Sequence, residues 1–303
     1  MADIFGERGL AGGPAQPVAI LNADGMPVVT AGAGAPTGLW ALISSLVRPV
    51  VAKVFDLDVD IALGNVDGIS YNDKFGLVKG IDAADAAADL WAWGSDPLAG
   101  APTKVFPSVA GDLFIASDAA GDTDVDVTIV YLDATGVERT VTKNLDGQTP
   151  VDVEVTALDS NRMWISGATA AVGNIYLSTS GSFTAGVPDV ATTVVAFIEA
   201  GYGQTEQCTY TVPSGKKMVL TLLQVSMSRG SGAAGSAEVQ LRVKPSGGSV
   251  LVKREWQATD SSPVKDGTVF VFAALTQVVV RVKDVSDGDT HLTGVWKFYL
   301  VDA

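Results

Sequence analysis

From about residue 104 onward the chain is a succession of short runs in which apolar and polar residues alternate, each closed by Gly, Asp, Asn or Pro. Neighbouring side chains on an extended strand point to opposite faces, so alternation with period two marks strands with one buried face. Runs at 106–117, 124–136, 137–147, 150–158, 161–171 and 173–180 form one set. The Gly- and Pro-containing break GSFTAGVPD (181–189) separates it from runs at 191–200, 206–213, 217–228, 237–245, 249–258, 267–274, 276–284 and 291–303. Spacing of this kind is that of antiparallel sandwiches and barrels. The pattern predicts a mainly β protein with two antiparallel β-sandwich (jelly-roll-like) domains, at 56–185 and 190–303. Before them it predicts an extended N-terminal arm with one or two short helices, over 1–55.

The first 37 residues are rich in Gly, Pro and Ala. Within them, ILNADGMPVV carries an Asp24–Gly25 pair between apolar runs, a hairpin signal. A free tail gains nothing from Leu10, Val18, Ile20, Leu21, Val28 and Val29, which favours an arm that docks on a neighbouring subunit. A helix is predicted over 37–55, capped by Thr37, with Leu39, Leu42, Ile43, Leu46 and Val47 at helical spacing and Pro49 ending it. The alanine-rich stretch 81–93 predicts a second helix, with Asp82, Asp85 and Asp89 near one face. DLDVDIAL (56–63) alternates and reads as a strand.

Charge and composition exclude several functions. With 20 Lys and Arg against 34 Asp and Glu, the net charge is −14, which repels phosphate backbones and anionic membranes. Nucleic acid and membrane are therefore not expected partners. The chain has one Cys and one His, so neither a disulfide nor a common zinc site can be assembled from it alone. No stretch reads as a signal peptide or a transmembrane span.

Clustered acids are the remaining candidates. Asp56, Asp58 and Asp60, and again Asp122, Asp124 and Asp126, stand at i, i+2, i+4, which on a strand puts three carboxylates on one face. Asp122, Asp124 and Asp126 are weak Ca²⁺ candidates. Val127 replaces the glycine an EF-hand loop requires, so a solvated strand face is the preferred reading. Asp284, Asp287 and Asp289 read as a turn. His291 is the sole possible catalytic imidazole, and no nucleophile elbow accompanies it. Cys208 alternates within QCTYTV as an inert buried thiol. GYGQTE (201–206) is a turn, not a phosphate cradle. Trp91, Trp93, Trp164, Trp256 and Trp296 read as core aromatics rather than stacking platforms. No catalytic residues, cofactor or resident metal are expected, and the chain is not read as an enzyme.

A longer pattern carries a resemblance. ADLWAWGSDP, then TKVFPSVAGDLFIASDAAGDTDVDVTIVYLDATGVERTVTKNLDGQTPVDV, then NRMWISGATAAVGNIYLS, and finally AFIEAGYGQTEQCTYTVPSGKKMVLTLL resemble a group of virion structural proteins of tailed bacteriophages. The similarity covers about residues 85–225. It departs at Asp146, where the group has Asn in a turn, and at Cys208, where it has a small residue. The resemblance implies a role in the particle, not a reaction: capsid decoration or cementing, or a spike or tail appendage that binds host-surface glycan. It implies virion localisation after assembly in the host cytoplasm. The implied partners are the major capsid protein or other virion proteins, and further copies of the chain in a trimer or other cyclic homo-oligomer.

Overall fold

The computed structural model describes residues 57–84, 87–95, 103–230, 235–260 and 262–303, with the strand residues 20–21 and 27–28. The chain forms two compact units, Met1–Asp60 and Ile61–Ala303. In the first, β1 (Ile20–Leu21) pairs antiparallel with β2 (Pro27–Val28), in the register Ile20↔Val28 and Leu21↔Pro27, so the two apolar runs of ILNADGMPVV pair with one another. The helix read over 37–55 and the rest of the arm lie outside the described residues.

The fold is mainly β, in antiparallel sheets. Helix α1 (Leu57–Ala62) is followed by β3 (Ile69–Ile81) and β4 (Ala88–Asp89). Then come β5 (Gly111–Ser117), β6 (Asp126–Asp133), β7 (Glu138–Asn144), β8 (Val151–Ile165), β9 (Ile175–Ser178), β10 (Phe183–Thr184), β11 (Val187–Pro188) and β12 (Val194–Ile198). The C-terminal set is β13 (Thr209–Thr211), β14 (Lys216–Arg229), β15 (Ser236–Lys244), β16 (Leu251–Thr259), β17 (Val264–Asp266), β18 (Phe270–Phe272), β19 (Gln277–Val285) and β20 (Thr290–Asp302).

One sheet has six strands in the order β12-β9-β5-β8-β6-β7. The hairpin β6–β7 turns at Ala134–Gly136, where the run read at 124–136 meets the run read at 137–147. β8 is one strand where two were read: its first half pairs with β5 and its second with β6. Beyond β12 the chain returns to β8, where the Ile165 N–H donates to Gly203 O at 2.8 Å and the Thr205 N–H to Met163 O at 2.9 Å. This link ties the end strand to the middle of the sheet around a core that includes Ile115, Ile129, Val153, Met163 and Leu177.

The two five-stranded sheets form a sandwich. β17-β14-β20-β3, with β18 also on β14, faces β13-β19-β15-β16, with β4 on β19. Val239, Leu241, Val278 and Val280 point inward from one sheet, and Trp296, Phe298 and Leu300 from the other. Each such side chain contributes about 1.5–3 kcal/mol by leaving water. In β14 the inward residues change parity, from Met218 and Leu220 to Leu223, Val225 and Met227. A bulge between Leu220 and Leu222 supplies the one-residue step that keeps both halves facing the core.

Three readings of the N-terminal half are corrected. DLDVDIAL is a helix over 57–62, not a strand; its few residues satisfy either period. The helix read at 81–93 is absent among its described residues. Instead there is a turn, β4, and a 3₁₀ turn at Ala92–Ser95, because Asp89, Leu90, Trp91 and Trp93 are drawn into buried partners. β3 was not read at all: Lys74 and Gly76 occupy inward positions and break the apolar alternation. It pairs along its length with β20, so Ile69–Ile81 belongs with the C-terminal sheets rather than with a domain ending near 185.

Candidate functional site

Strand β8 meets the sandwich through buried polar groups. The Lys104 amine lies 2.9 Å from the Asp159 carboxylate with both side chains almost wholly buried, and it donates to Ser160 O at 3.2 Å. Asp159 also accepts from the Thr211 hydroxyl at 2.7 Å. Asn161 clamps β13: its Oδ1 accepts from Thr211 N–H and its Nδ2 donates to Thr211 O. The Lys74 amine donates to Asn161 O, which also receives the Gln207 amide at 3.1 Å. Nearby, the buried Asp89 takes a bidentate grip from Arg281, at 2.6 and 3.1 Å, and the Lys104 backbone N–H at 2.7 Å.

Burial governs the titration of these groups. It pulls the Lys74 amine down to about 7, and the charge of Lys104 adds to the effect. It pushes the Cys208 thiol up to about 12 and raises Tyr210, whose hydroxyl also faces Glu138. Burial raises Asp89 while the Arg281 guanidinium opposes it. Glu206 is pushed up to about 7 by burial and by Glu199, which the Lys79 amine holds at 2.7 Å. The Cys208 sulfur donates to Gly294 O, and burial outweighs the opposing charge of Lys74, which keeps it a thiol rather than a nucleophilic thiolate.

Two surface features stand out. On the outward face of the β14 sheet, Val271, Val219, Tyr299 and Tyr71 lie in register across four strands. The two tyrosine rings meet edge to face at 5.8 Å. Val295 and Phe75 form a second in-register pair on the same face, each about one-third exposed. Elsewhere, Arg162, Trp164, Gly203 and Gln204 line a shallow, open cleft of about 530 Å³. There the Arg162 guanidinium lies 5.9 Å from the Trp164 ring centre and donates to Gln204 at 2.9 Å.

Among the described residues, Asp122, Asp124 and Asp126 do not share one site. Asp122 is buried ahead of β6 and accepts from the Ser117 hydroxyl and the Val172 and Gly173 amides at 2.6–3.0 Å. Asp124 is exposed, and Asp126 accepts from Asn144 Nδ2. Asp122 thus locks a loop instead of lining a solvated strand face. Among the described residues, no three His, Cys, Asp or Glu converge on a metal-sized site. His291 accepts the Gly80 N–H at Nδ1 and turns Nε2 toward Asp289 at 3.5 Å, a local clasp between β3 and β20. Trp91, Trp93 and Trp296 are core residues, whereas Trp164 and Trp256 are half-buried.

Sequence reasoning missed the buried ion pairs. Asp89 and Arg281 are 192 positions apart, and a charge pair at that separation leaves no local signature. A lysine set inside an otherwise strand-like run was the only available signal for Lys74.

No protein-family model and no curated protein matches the sequence. Solved structures similar to it include the crystal structure of the infectious bursal disease virus VP2 subviral particle, at 6% identity over 78% of this chain and 73% of that one, with a TM-score of 0.19. The structure of infectious bursal disease virus Gx strain gives 8% identity over 77% and 75%, with a TM-score of 0.18. At these TM-scores the likeness carries no argument about fold or function.

Proposed function

We propose that the chain is a structural protein of a virus particle, and more narrowly of a tailed phage, decorating or cementing the capsid through subunit contacts and the N-terminal arm. The observation that carries this reading is the row Val271–Val219–Tyr299–Tyr71, with Val295 and Phe75 beside it, on the outward face of a sandwich sheet. A face of in-register aliphatic and aromatic side chains suits burial against another subunit. The sequence resemblance to phage virion proteins supports it, as do the deep polar junctions, which hold β8 and the sandwich together as a scaffold. Paired Val219→Glu and Tyr299→Glu substitutions are expected to leave a folded chain that no longer self-associates or binds particles in sedimentation. Deleting residues 1–36 is expected to leave the β structure intact and abolish particle attachment. Wild-type attachment by both variants would refute the proposal.

One observation favours a second reading, a spike that binds host glycan. The Trp164 ring lies in an open cleft beside Arg162 and Gln204, a flat face flanked by hydrogen-bonding groups that suits a sugar ring. Glycan-array binding lost in Trp164→Ala would support this reading; an array with no signal would remove it.

A further inference from the structure

A second cleft, of about 280 Å³, lies over the outward face of β15 and β19, roofed by residues 104–106. In a chain of net charge −14 it gathers four cations: Lys104, Arg242, Lys244 and Arg281. Two of them are neutralised in place, Lys104 by Asp159 and Arg281 by Asp89. Arg242 and Lys244 have no ion-pair partner among the described residues.

The register explains how the cations meet. Arg242 stands opposite Val279, and Lys244 opposite Gln277, so Arg242 has Arg281 and Gln277 as its diagonal neighbours. Leu241, Val243, Val278 and Val280 turn inward, which commits the alternate residues to the outer face. Burial and the charge of Arg281 lower the Arg242 pKa, and the more weakly felt charge of Asp89, already gripped by Arg281, opposes them. The Arg242 Nε is buried with no hydrogen-bond partner among the described residues, and so is Gln277 Oε1. A half-turn of the Gln277 amide would present its NH₂ donors instead. Buried guanidinium nitrogens without an acceptor are costly, and a carboxylate matches their planar fork. The remaining walls are apolar: Val105 and Val250 are each nearly half exposed, Val243 and Val279 are buried, and Phe106 lies against the Lys104 amine.

We propose that this cleft binds a carboxylate carried on a small aliphatic group, the oxygens meeting Arg242, Lys244 and Gln277 and the hydrocarbon meeting Val105 and Val250. Two of the four cations already hold fixed carboxylates, so the ligand supplies the missing charge rather than competing for Asp89 or Asp159. The valine walls favour a branched aliphatic acid over a phosphate, which has no apolar part to bury.

The test is an NMR-detected titration of the full chain with isovalerate, with isovaleramide as a neutral match and inorganic phosphate as the other oxyanion. Isovalerate is expected to bind one to one, with a dissociation constant on the order of 1 mM, as suits so small a ligand. Isovaleramide and phosphate are each expected to bind at least about tenfold more weakly, the loss of one charge-assisted contact. Arg242→Gln and Lys244→Gln should each weaken isovalerate by a similar factor, whereas Lys283→Gln, which alters an exposed cation paired with Glu238, should not. Circular dichroism of each variant separates lost binding from lost folding, and Lys244 is exposed enough to replace without disturbing the core. Phosphate binding as tightly as isovalerate, no saturable binding, or equal effects of the Arg242 and Lys283 substitutions would each overturn the proposal.

Discussion

Gly76 on β3 and Gly294 on β20 stand directly opposite one another, and Cys208 fills the space that two side chains would have taken. A Cβ on Gly76 would lie 2.4 Å from the Cys208 nitrogen and 2.6 Å from Leu90 O; one on Gly294 would lie 2.9 Å from the Cys208 sulfur. The slot lets Cys208 lie close against the facing sheet: its N–H donates to Leu90 O at 2.7 Å and the Val280 N–H to Cys208 O at 3.0 Å within its own sheet, while its sulfur donates to Gly294 O across the sandwich.

Gly76→Ala is therefore expected to destabilise by about 1–3 kcal/mol, the usual cost of overpacking, because the atoms it strikes are backbone and cannot rotate away. Gly111→Ala, where nothing lies within 4 Å of the added carbon, serves as the matched control. Chemical denaturation of both variants checks the difference; equal midpoints would show that the slot is not tight.

Lys74 makes stability depend on alkaline pH. Its amine titrates at about 7 when folded and at 10.5 when exposed. Between those values the unfolded chain binds the extra proton, so stability rises as pH climbs from about 7 to 10.5 and is lowest below 7. Lys74→Met is expected to flatten that rise and to stabilise the protein at pH 6 by a few kcal/mol, since each tenfold change in proton affinity is worth about 1.4 kcal/mol. Asn161 O keeps the Gln207 amide as a donor in the variant. Glu206, raised from 4.5 to about 7, acts in the opposite sense on the acid side: stability it confers below 4.5 is lost as pH rises to 7. Melting temperatures across pH 4–10 for the wild type, Lys74→Met and Glu206→Gln would show whether the two limbs belong to these residues.

Asp122 is expected to matter for folding and not for metal. Asp122→Ala leaves the buried Gly173 amide and the part-buried Val172 amide without their acceptor, at about 1–3 kcal/mol for the buried one and less for the other, which water can reach. Chelator and added Ca²⁺ should leave the wild-type melting temperature unchanged in calorimetry. A calcium-dependent rise would mean that Asp122 exchanges its amide partners for a cation.

Most of the longer strands from 111 onward were legible because their alternation is local: every second residue of β15, and of β19 from Val278 to Val282, is aliphatic, and a turn residue closes each run. β3 was illegible for the converse reason. Its inward positions hold Lys74 and Gly76, residues chosen by Asn161 and Cys208, which lie far along the chain. The alanines of 81–93 carry real helix propensity, but burying Leu90, Trp91 and Trp93 and pairing Asp89 with Arg281 outweigh it. The acid triplet at 122–126 misled because spacing gives a face only if the residues share a strand, and Asp122 precedes one.

The pairing of β3 with β20 also sets a clock. Ile69 and Val301 are partners although more than 200 residues separate them. At 5–20 residues per second, the ribosome releases β20 roughly 10–40 s after β3. Through that interval β3 has none of its native strand neighbours, and its tyrosine and phenylalanine are open to any other edge in the cell. Holding that strand safe during synthesis is a task for chaperones, and a ribosome stalled anywhere before residue 290 would leave a chain whose first long strand is still looking for its mate.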